Sequence, residues 1–263
     1  MVRREWGLPD AIDLIRPSVV QIALDQSEFG NHSHVVAGTG FFVSDGGYVL
    51  TARHVVEAAR QQGGRLLAGL AMPDIDTPMK MRGTFVLEEC DIIKEDERHD
   101  LALLRLRNNP FTGTTPSGMW KDTDGSIGLN GMYGVPKFNS DRPRDGERVA
   151  VSGYPLSLPA LITTSGGIAS GSAIDLKEVQ PPGAPSGFVV SDVKDSYLAD
   201  VAVNPGNSGG PVYNVASGAI IGVCVAFRIA QLALDPNTTI PYNSGLSIVV
   251  PIKYGLELLA RHE

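Results

Sequence analysis

The stretch "NPGNSGGPV", Asn204 to Val212, sets a single serine, Ser208, among glycines. Glycine tolerates unusual φ and ψ values and lets another backbone come close. A serine nucleophile needs such a turn, because backbone amides must point at the oxyanion that develops on an attacked carbonyl. Here those amides would belong to Gly206 and Ser208. A plain Gly/Asn turn between "YLADVAV" and "GAIIGV" is the ordinary alternative. A base is available in "GYVLTARHVV", Gly47 to Val56, where an apolar strand delivers His54 just as a turn or short helix begins. An acid is available in "RHDLALLRL", Arg98 to Leu106, where Asp100 immediately precedes an apolar strand. A partly buried, rigid carboxylate can fix the histidine tautomer and stabilise the imidazolium. Taken singly, each residue also has a structural explanation: a strand-end histidine, or an aspartate that opens a strand from a turn.

Read along the chain, the order is His, Asp, Ser. Subtilisin-type chains run Asp, His, Ser and α/β-hydrolases run Ser, acid, His, so the order itself narrows the architecture. The other reactive residue types point nowhere comparable. His32 and His34, in "HSH", lack a third ligand nearby and are expected at a polar hairpin tip. Cys90 and Cys224 allow one disulfide, but Cys224 lies in the apolar run "AIIGVCVAF", which predicts a buried free thiol. No metal and no cofactor are expected.

The elements that must position these residues read mostly as strands. "SVVQIAL", "GTGFFVS", "GYVLTA", "GTFVLEE", "LALLRL", "ERVAVSGY", "FVVSDV", "GAIIGVCVAF" and "GLSIVVP" are short, rich in Val, Ile, Phe and Tyr, and bounded by Gly, Pro, Asn or Asp. Helical pattern is confined to "PDAIDLIR", with Pro9 at or before its first turn, to "VVEAARQQ" after His54, and to the closing "IKYGLELLARHE". Many short strands with few helices predict an all-β sandwich or barrel. Two segments read as long loops, Asn108 to Arg148 and the proline-rich Lys177 to Gly187. A loop as long as the first is usually functional or mobile.

The chain has 263 residues, 43% of them hydrophobic and 19% charged, which suits a globular fold with a real core. Its net charge of −7 argues against nucleic acid as a partner, since phosphate binding wants a basic face. No apolar run is long enough for a membrane span. The first residues, "MVRREWGLPD", lack an apolar signal core, and the expectation is a cytoplasmic protein.

The chain resembles chymotrypsin-fold serine proteases through "TARHV", "DLALLRL" and "GNSGGPV". It resembles more closely the HtrA/Deg-type bacterial branch, through "GTGFFVSDGGYVLTARHVV", "VAVSGYPLSL", "TTSGGIASG", "ADVAVNPGNSGGPV" and "GLSIVVPIKYGLELL". These pieces span about residues 18 to 260, the long loops excepted. The resemblance implies a single peptidase domain over 1–263: two six-stranded antiparallel β-barrels, at about 18–107 and 149–250, joined by a loop at 108–148 and closed by a helix at 251–263, with a further short helix at the N-terminus. It implies peptide-bond hydrolysis with His54 as base, Asp100 as orienting acid, Ser208 as nucleophile, and an oxyanion hole from Gly206 and Ser208. It places Ala202 near the base of the primary pocket, with Val225, Ala226 and Phe227 along the cleft. An uncharged pocket predicts small or medium apolar residues before the scissile bond, unless Asp200 enters it. Asn207 stands where digestive zymogens carry an acid before the serine, so activation by ion pairing to a new N-terminus is not expected. Arg53, beside His54, departs from the small or neutral residue usual there. No PDZ-type module is expected, and the 108–148 loop is the expected substitute for it as lid or docking site. The expected partner is a polypeptide substrate, with a homo-oligomer left open. Two alternatives stand beside an active endopeptidase: a non-catalytic peptide-binding module on the same fold, and a highly selective protease with one partner substrate.

Overall fold

Apart from Thr51 and Arg105, "YVLTA" and "LALLRL" are wholly apolar, and both segments are buried along nearly their whole length. A strand buried on both faces must have a barrel interior on one side and a covering layer on the other. The structure, a computed structural model, describes residues 7–25, 34–61, 63–73, 81–112, 133–175, 193–235 and 238–262. In it these two segments are neighbours in a closed barrel. Its strands are β1 (Val19–Asp25), β2 (His34–Ser44), β3 (Tyr48–Ala52), β4 (Arg65–Pro73), β5 (Met81–Asp96) and β6 (Leu101–Leu106). The order is β1-β2-β3-β6-β5-β4, and β1 pairs with β4 to close the ring. The covering layer comes from the far end of the chain. Helix α3 (Ile252–Ala260) lies on β3 so closely that a Cβ on Gly255 would stand 2.2 Å from Leu50 Cδ2.

The second ring uses β7 (Arg148–Gly153), β8 (Ile162–Ile174), β9 (Ser196–Asp200), β10 (Pro211–Asn214), β11 (Ile220–Asp235) and β12 (Thr238–Pro251). Its order is β10-β11-β12-β9-β8-β7, with β7 paired to β10. It has a core of its own, built from Val149, Val151, Ile168, Tyr197, Val212 and Val249. The larger core joins both rings and the terminal helices. It includes Ile22, Phe41, Leu50 and Leu103 from the first ring, Val223, Val225 and Val250 from the second, and Leu258 from α3.

The three expected helices form. Helix α1 (Leu8–Ile15) carries Pro9 in its first turn, and the Gly7 amide donates to the Asp10 carboxylate. Helix α2 (Arg53–Gln61) starts one residue before His54, so the histidine sits inside its first turn. Strands β4, β9 and β10 have no counterpart in the sequence reading. The larger difference is the length of β11 and β12. Expected to end near Phe227 and to begin near Gly245, they instead pair as far as Asp235 and Thr238. That extension has no core face, since Leu232, Ile240 and Tyr242 stay exposed, and Pro241 within it argues against a strand in the sequence. "FVVSDV" up to its last residue, the 177–187 loop and residues 113–132 of the long loop lie outside the described residues.

Candidate active site

Asp100 and His54 meet where β6 begins and α2 begins. Asp100 has φ +54°, a left-handed conformation that aspartate tolerates better than most residues. In that conformation its carbonyl accepts the Arg53 N–H at 2.9 Å. One carboxylate oxygen, Oδ1, accepts the His54 N–H at 2.9 Å. The other, Oδ2, lies 2.6 Å from His54 Nδ1. A carboxylate only accepts, so Nδ1 carries the proton of this bond and Nε2 is left as the acceptor. The Asp100 side chain is 1% exposed and the imidazole 38%, so one face of the pair is dry and the other reachable. Arg53 has acidic partners. Its guanidinium bonds Glu57 at 3.2 Å and stands 3.9 Å from Glu95.

The turn that presents Asp100 is braced from behind. Asp96 accepts the His99 N–H at 3.2 Å and lies 2.7 Å from His99 Nδ1. The His99 ring stacks on Tyr254 of α3, with centroids 3.6 Å apart. The Tyr254 hydroxyl donates to Asp195, which also pairs with Arg142 and, at 3.1 Å, with Lys253. Partial burial alone would raise the Asp195 carboxyl, but the bonds from Tyr254 and Lys253 and the charge of Arg142 outweigh it and hold the group below its usual range. The neighbouring Lys194 N–H donates to the Arg98 carbonyl at 3.0 Å. The acid's turn is thus tied to the second ring and to α3.

Ser208 arrives from the other side. Asn207, buried, accepts the Asn204 N–H on its side-chain oxygen at 3.0 Å and closes the turn without an ion pair. Gly206 and Gly209 have φ of +101° and +83°. A Cβ on Gly209 would stand 2.1 Å from the Thr39 carbonyl oxygen and 2.8 Å from the Ala52 nitrogen, so this turn packs directly on the strand that leads to His54. Thr39 joins the two rings. Its N–H donates to the Ser208 carbonyl at 2.8 Å and its hydroxyl donates to the Gly206 carbonyl at 2.6 Å. The same hydroxyl accepts the Tyr154 N–H at 3.0 Å. Among the described residues the amides of Asn207, Gly209 and Gly210 all donate to backbone carbonyls, whereas those of Gly206 and Ser208 donate to none. The hydrogen bonds of the described residues join His54 to Asp100 and the Ser208 backbone to Thr39; a bond from the Ser208 hydroxyl to His54 is not among them.

The remaining expected site residues divide. Ala202 is exposed, between buried Val201 and Val203, and Asp200 is exposed at the end of β9 opposite Gly167 and Leu246. Val225 is fully buried in the shared core, so only its backbone can face a cleft. Ala226 is buried, and Phe227 is partly buried against the second core. Both cysteines are free and buried, and burial raises each thiol to about 12. Among the described residues no group of three His, Cys, Asp or Glu could hold a metal, and His34 is exposed at the end of β2. No helix is long and apolar enough to cross a membrane. Sequence reading missed Thr39, His99, Tyr254 and Asp195. Only Thr39 had a visible signal, its place between two glycines in "GTG".

The trypsin-like peptidase domain family matches over residues 38–223. The chain belongs to that family. Rattus norvegicus serine protease HTRA3 is 28% identical over 82% of this chain and 39% of its own length. A probable periplasmic serine endoprotease, DegP-like, from Chlamydia pneumoniae is 28% identical over 76% of this chain and 31% of its own. The chain therefore spans about a third of the length of these relatives. An HtrA-type protease solved as AlgW with decapeptide shares the fold, with TM-score 0.61 and 18% identity over 97% of this chain and 66% of that one. The matched span of the trypsin-like peptidase domain runs from Gly38, against which Ser208 packs, to Val223 at the root of β11, and it contains His54, Asp100 and Ser208.

Proposed function

We propose that this trypsin-like peptidase domain is a serine endopeptidase on a chymotrypsin-type pair of six-stranded barrels. Ser208 Oγ attacks the scissile carbonyl, and His54 Nε2 takes its proton and returns it to the leaving amine. Asp100 orients His54 through Nδ1. The amides of Gly206 and Ser208 receive the oxyanion, and an acyl-enzyme on Ser208 is then hydrolysed. The observation that carries this reading is the 2.6 Å bond between His54 Nδ1 and Asp100, which leaves Nε2 as an acceptor at the seam where Thr39 holds the Ser208 backbone. The two undonated amides beside that serine supply the electrostatic part. Ala202 brings no charge to the primary pocket, which supports small or medium apolar side chains before the scissile bond.

A fluorophosphonate probe tests the proposal. It should label the native chain and leave Ser208→Ala unlabelled, and peptide turnover in that variant should fall by about 10⁶-fold, because triad members act as a unit. A native chain that resists the probe and cleaves no peptide overturns the catalytic reading and leaves a peptide-binding module.

A further inference from the structure

Strands β11 and β12 leave the second ring as a two-stranded ribbon. Strand β11 pairs with β10 only from Ile220 to Val223, and β12 pairs with β9 only from Leu246 to Val249. Beyond these points they pair with each other, from Ile229 opposite Asn243 to Asp235 opposite Thr238. Each strand of the ribbon therefore has one edge that no strand among the described residues covers. One face of the ribbon is apolar. Ala230 stands opposite Tyr242 and Leu232 opposite Ile240, and Leu232, Ile240 and Tyr242 are 55%, 47% and 51% exposed.

The two edges are not equivalent. Pro241 stands opposite Gln231. Proline has no N–H, so it fits an edge strand where its nitrogen faces away from the partner. The pair is then a non-hydrogen-bonded one, and the N–H and C=O of Gln231 point outward from β11. By alternation those of Ile229 and Ala233 do too. Pro241 blunts the β12 edge. Ile229 to Ala233, "IAQLA", carries neither proline, glycine nor charge. An open edge of that kind is a template for another strand, and natural sheets rarely leave one uncovered. The ribbon is also rooted at the reaction site. Strand β11 enters it directly from Val225, Ala226 and Phe227. The Asn243 side-chain amide donates to the carbonyl of Val203, in the segment leading to Ser208, at 2.6 Å.

We propose that the β11 edge from Ile229 to Ala233 is a substrate-binding extension of the cleft. The polypeptide segment N-terminal to the scissile bond adds to β11 as an antiparallel strand and continues along the ribbon. Its alternate apolar side chains stand beside Ala230 and Leu232 and extend the apolar face that these share with Ile240 and Tyr242. Strand addition supplies affinity through the main chain and specificity through every second side chain. At roughly 3.3 Å per residue the extension spans about 16 Å, about five substrate residues beyond those next to the bond. The substrate class is thus an unfolded chain with a long extended apolar segment before the cleavage point. This rests on the serine endopeptidase reading.

Binding measured in the Ser208→Ala background tests the extension whether or not the serine reacts. Two fluorescent peptides share the residues around the cleavage point. One carries two residues before it, the other ten, with apolar residues at every second position. The long peptide should bind at least about tenfold more tightly, the effect of one or two net hydrogen bonds with some apolar burial. Replacing residues 231–241 by Asn-Gly, a two-residue hairpin turn, should abolish that advantage. So should Gln231→Pro, which removes an outward amide while keeping the ribbon, and circular dichroism and melting confirm that both variants fold. Equal binding of the two peptides by the unshortened chain, or an advantage that survives both changes, overturns the proposal. So does a shortened variant that light scattering shows as a smaller assembly than the parent, because the ribbon would then join copies of the chain. Failure of the fluorophosphonate test with these binding results intact would strike the catalytic reading and not the ribbon.

Discussion

The two sides of the proposed site differ in how much of their bonding is complete. On the first ring, Asp100 accepts from the Arg53 amide, the His54 amide and His54 Nδ1, and the turn that carries it is buttressed through His99 and Tyr254. On the second ring, the Ser208 turn is anchored at Asn207, Gly209 and Gly210, yet among the described residues the amides of Gly206 and Ser208 donate to no carbonyl. A base must hold its tautomer and direction at all times, so completing its bonds costs no function. An oxyanion site must keep its donors free for charge that appears only in the transition state. The same chain thus satisfies its polar groups on one side and withholds them on the other.

The sharpest break of that contrast is Asp100→Asn. An asparagine fits the same space, but its amide can donate toward Nδ1 and favour the wrong tautomer. Peptide kcat should fall by about 10⁴-fold, while KM and the melting temperature change little. A loss of tenfold or less in steady-state kinetics would mean that the completed bonding on this side is structural and not catalytic.

How much of this was readable beforehand follows the same division. The strings around His54, Asp100 and Ser208 announce themselves because each combines a reactive residue with a local backbone demand: a strand end, a turn before a strand, a run of glycines. The buried free thiols were legible from the apolar run around Cys224. Bonds between the rings left no local trace. Thr39 and Gly206 are 167 residues apart, and Thr39 and Tyr154 are 115 apart. Asp195 owes its role to Arg142, Lys253 and Tyr254, which only the folded chain brings together. Strand β4, "RLLAGLAMP", reads ambiguously because its apolar run is broken by glycine and lacks alternation. The β11–β12 ribbon escaped for a different reason. It contains Pro241, and a proline inside a run argues against a strand until the pairing shows it to be an edge.

Thr39→Val probes the joint between the two sides. Valine keeps the shape and the backbone bond to Ser208 but strands the Gly206 carbonyl and the Tyr154 amide. Each abandoned partner in a part-buried site costs on the order of 1–3 kcal/mol, and freedom at Gly206 loosens one oxyanion donor. If Gly206 is an oxyanion donor as proposed, the expected result is a kcat lowered by roughly 10- to 100-fold together with a lower denaturation midpoint, both recovered in Thr39→Ser. A midpoint shift with unchanged kcat would restrict Thr39 to holding the rings together.

Acid should separate the two sides by a smaller margin. Asp195 is held low by Tyr254, Lys253 and Arg142 against the opposing effect of burial. The unfolded chain takes up this proton near the ordinary aspartate value of about 3.9, the folded chain only at lower pH. Its contribution to stability is therefore complete above that ordinary value and is lost as pH falls through the lowered one. The Ser208 turn, by contrast, is held by Thr39, Asn207 and backbone groups, none of which titrates in this range. Melting curves of the native chain and Asp195→Asn should differ by a few degrees at neutral pH and converge below about pH 4. Hydrogen exchange at residues 96–100 should rise on acidification before exchange at residues 204–210 does. Simultaneous loosening of both segments would show that the brace behind Asp100 does not act separately from the joint at Thr39.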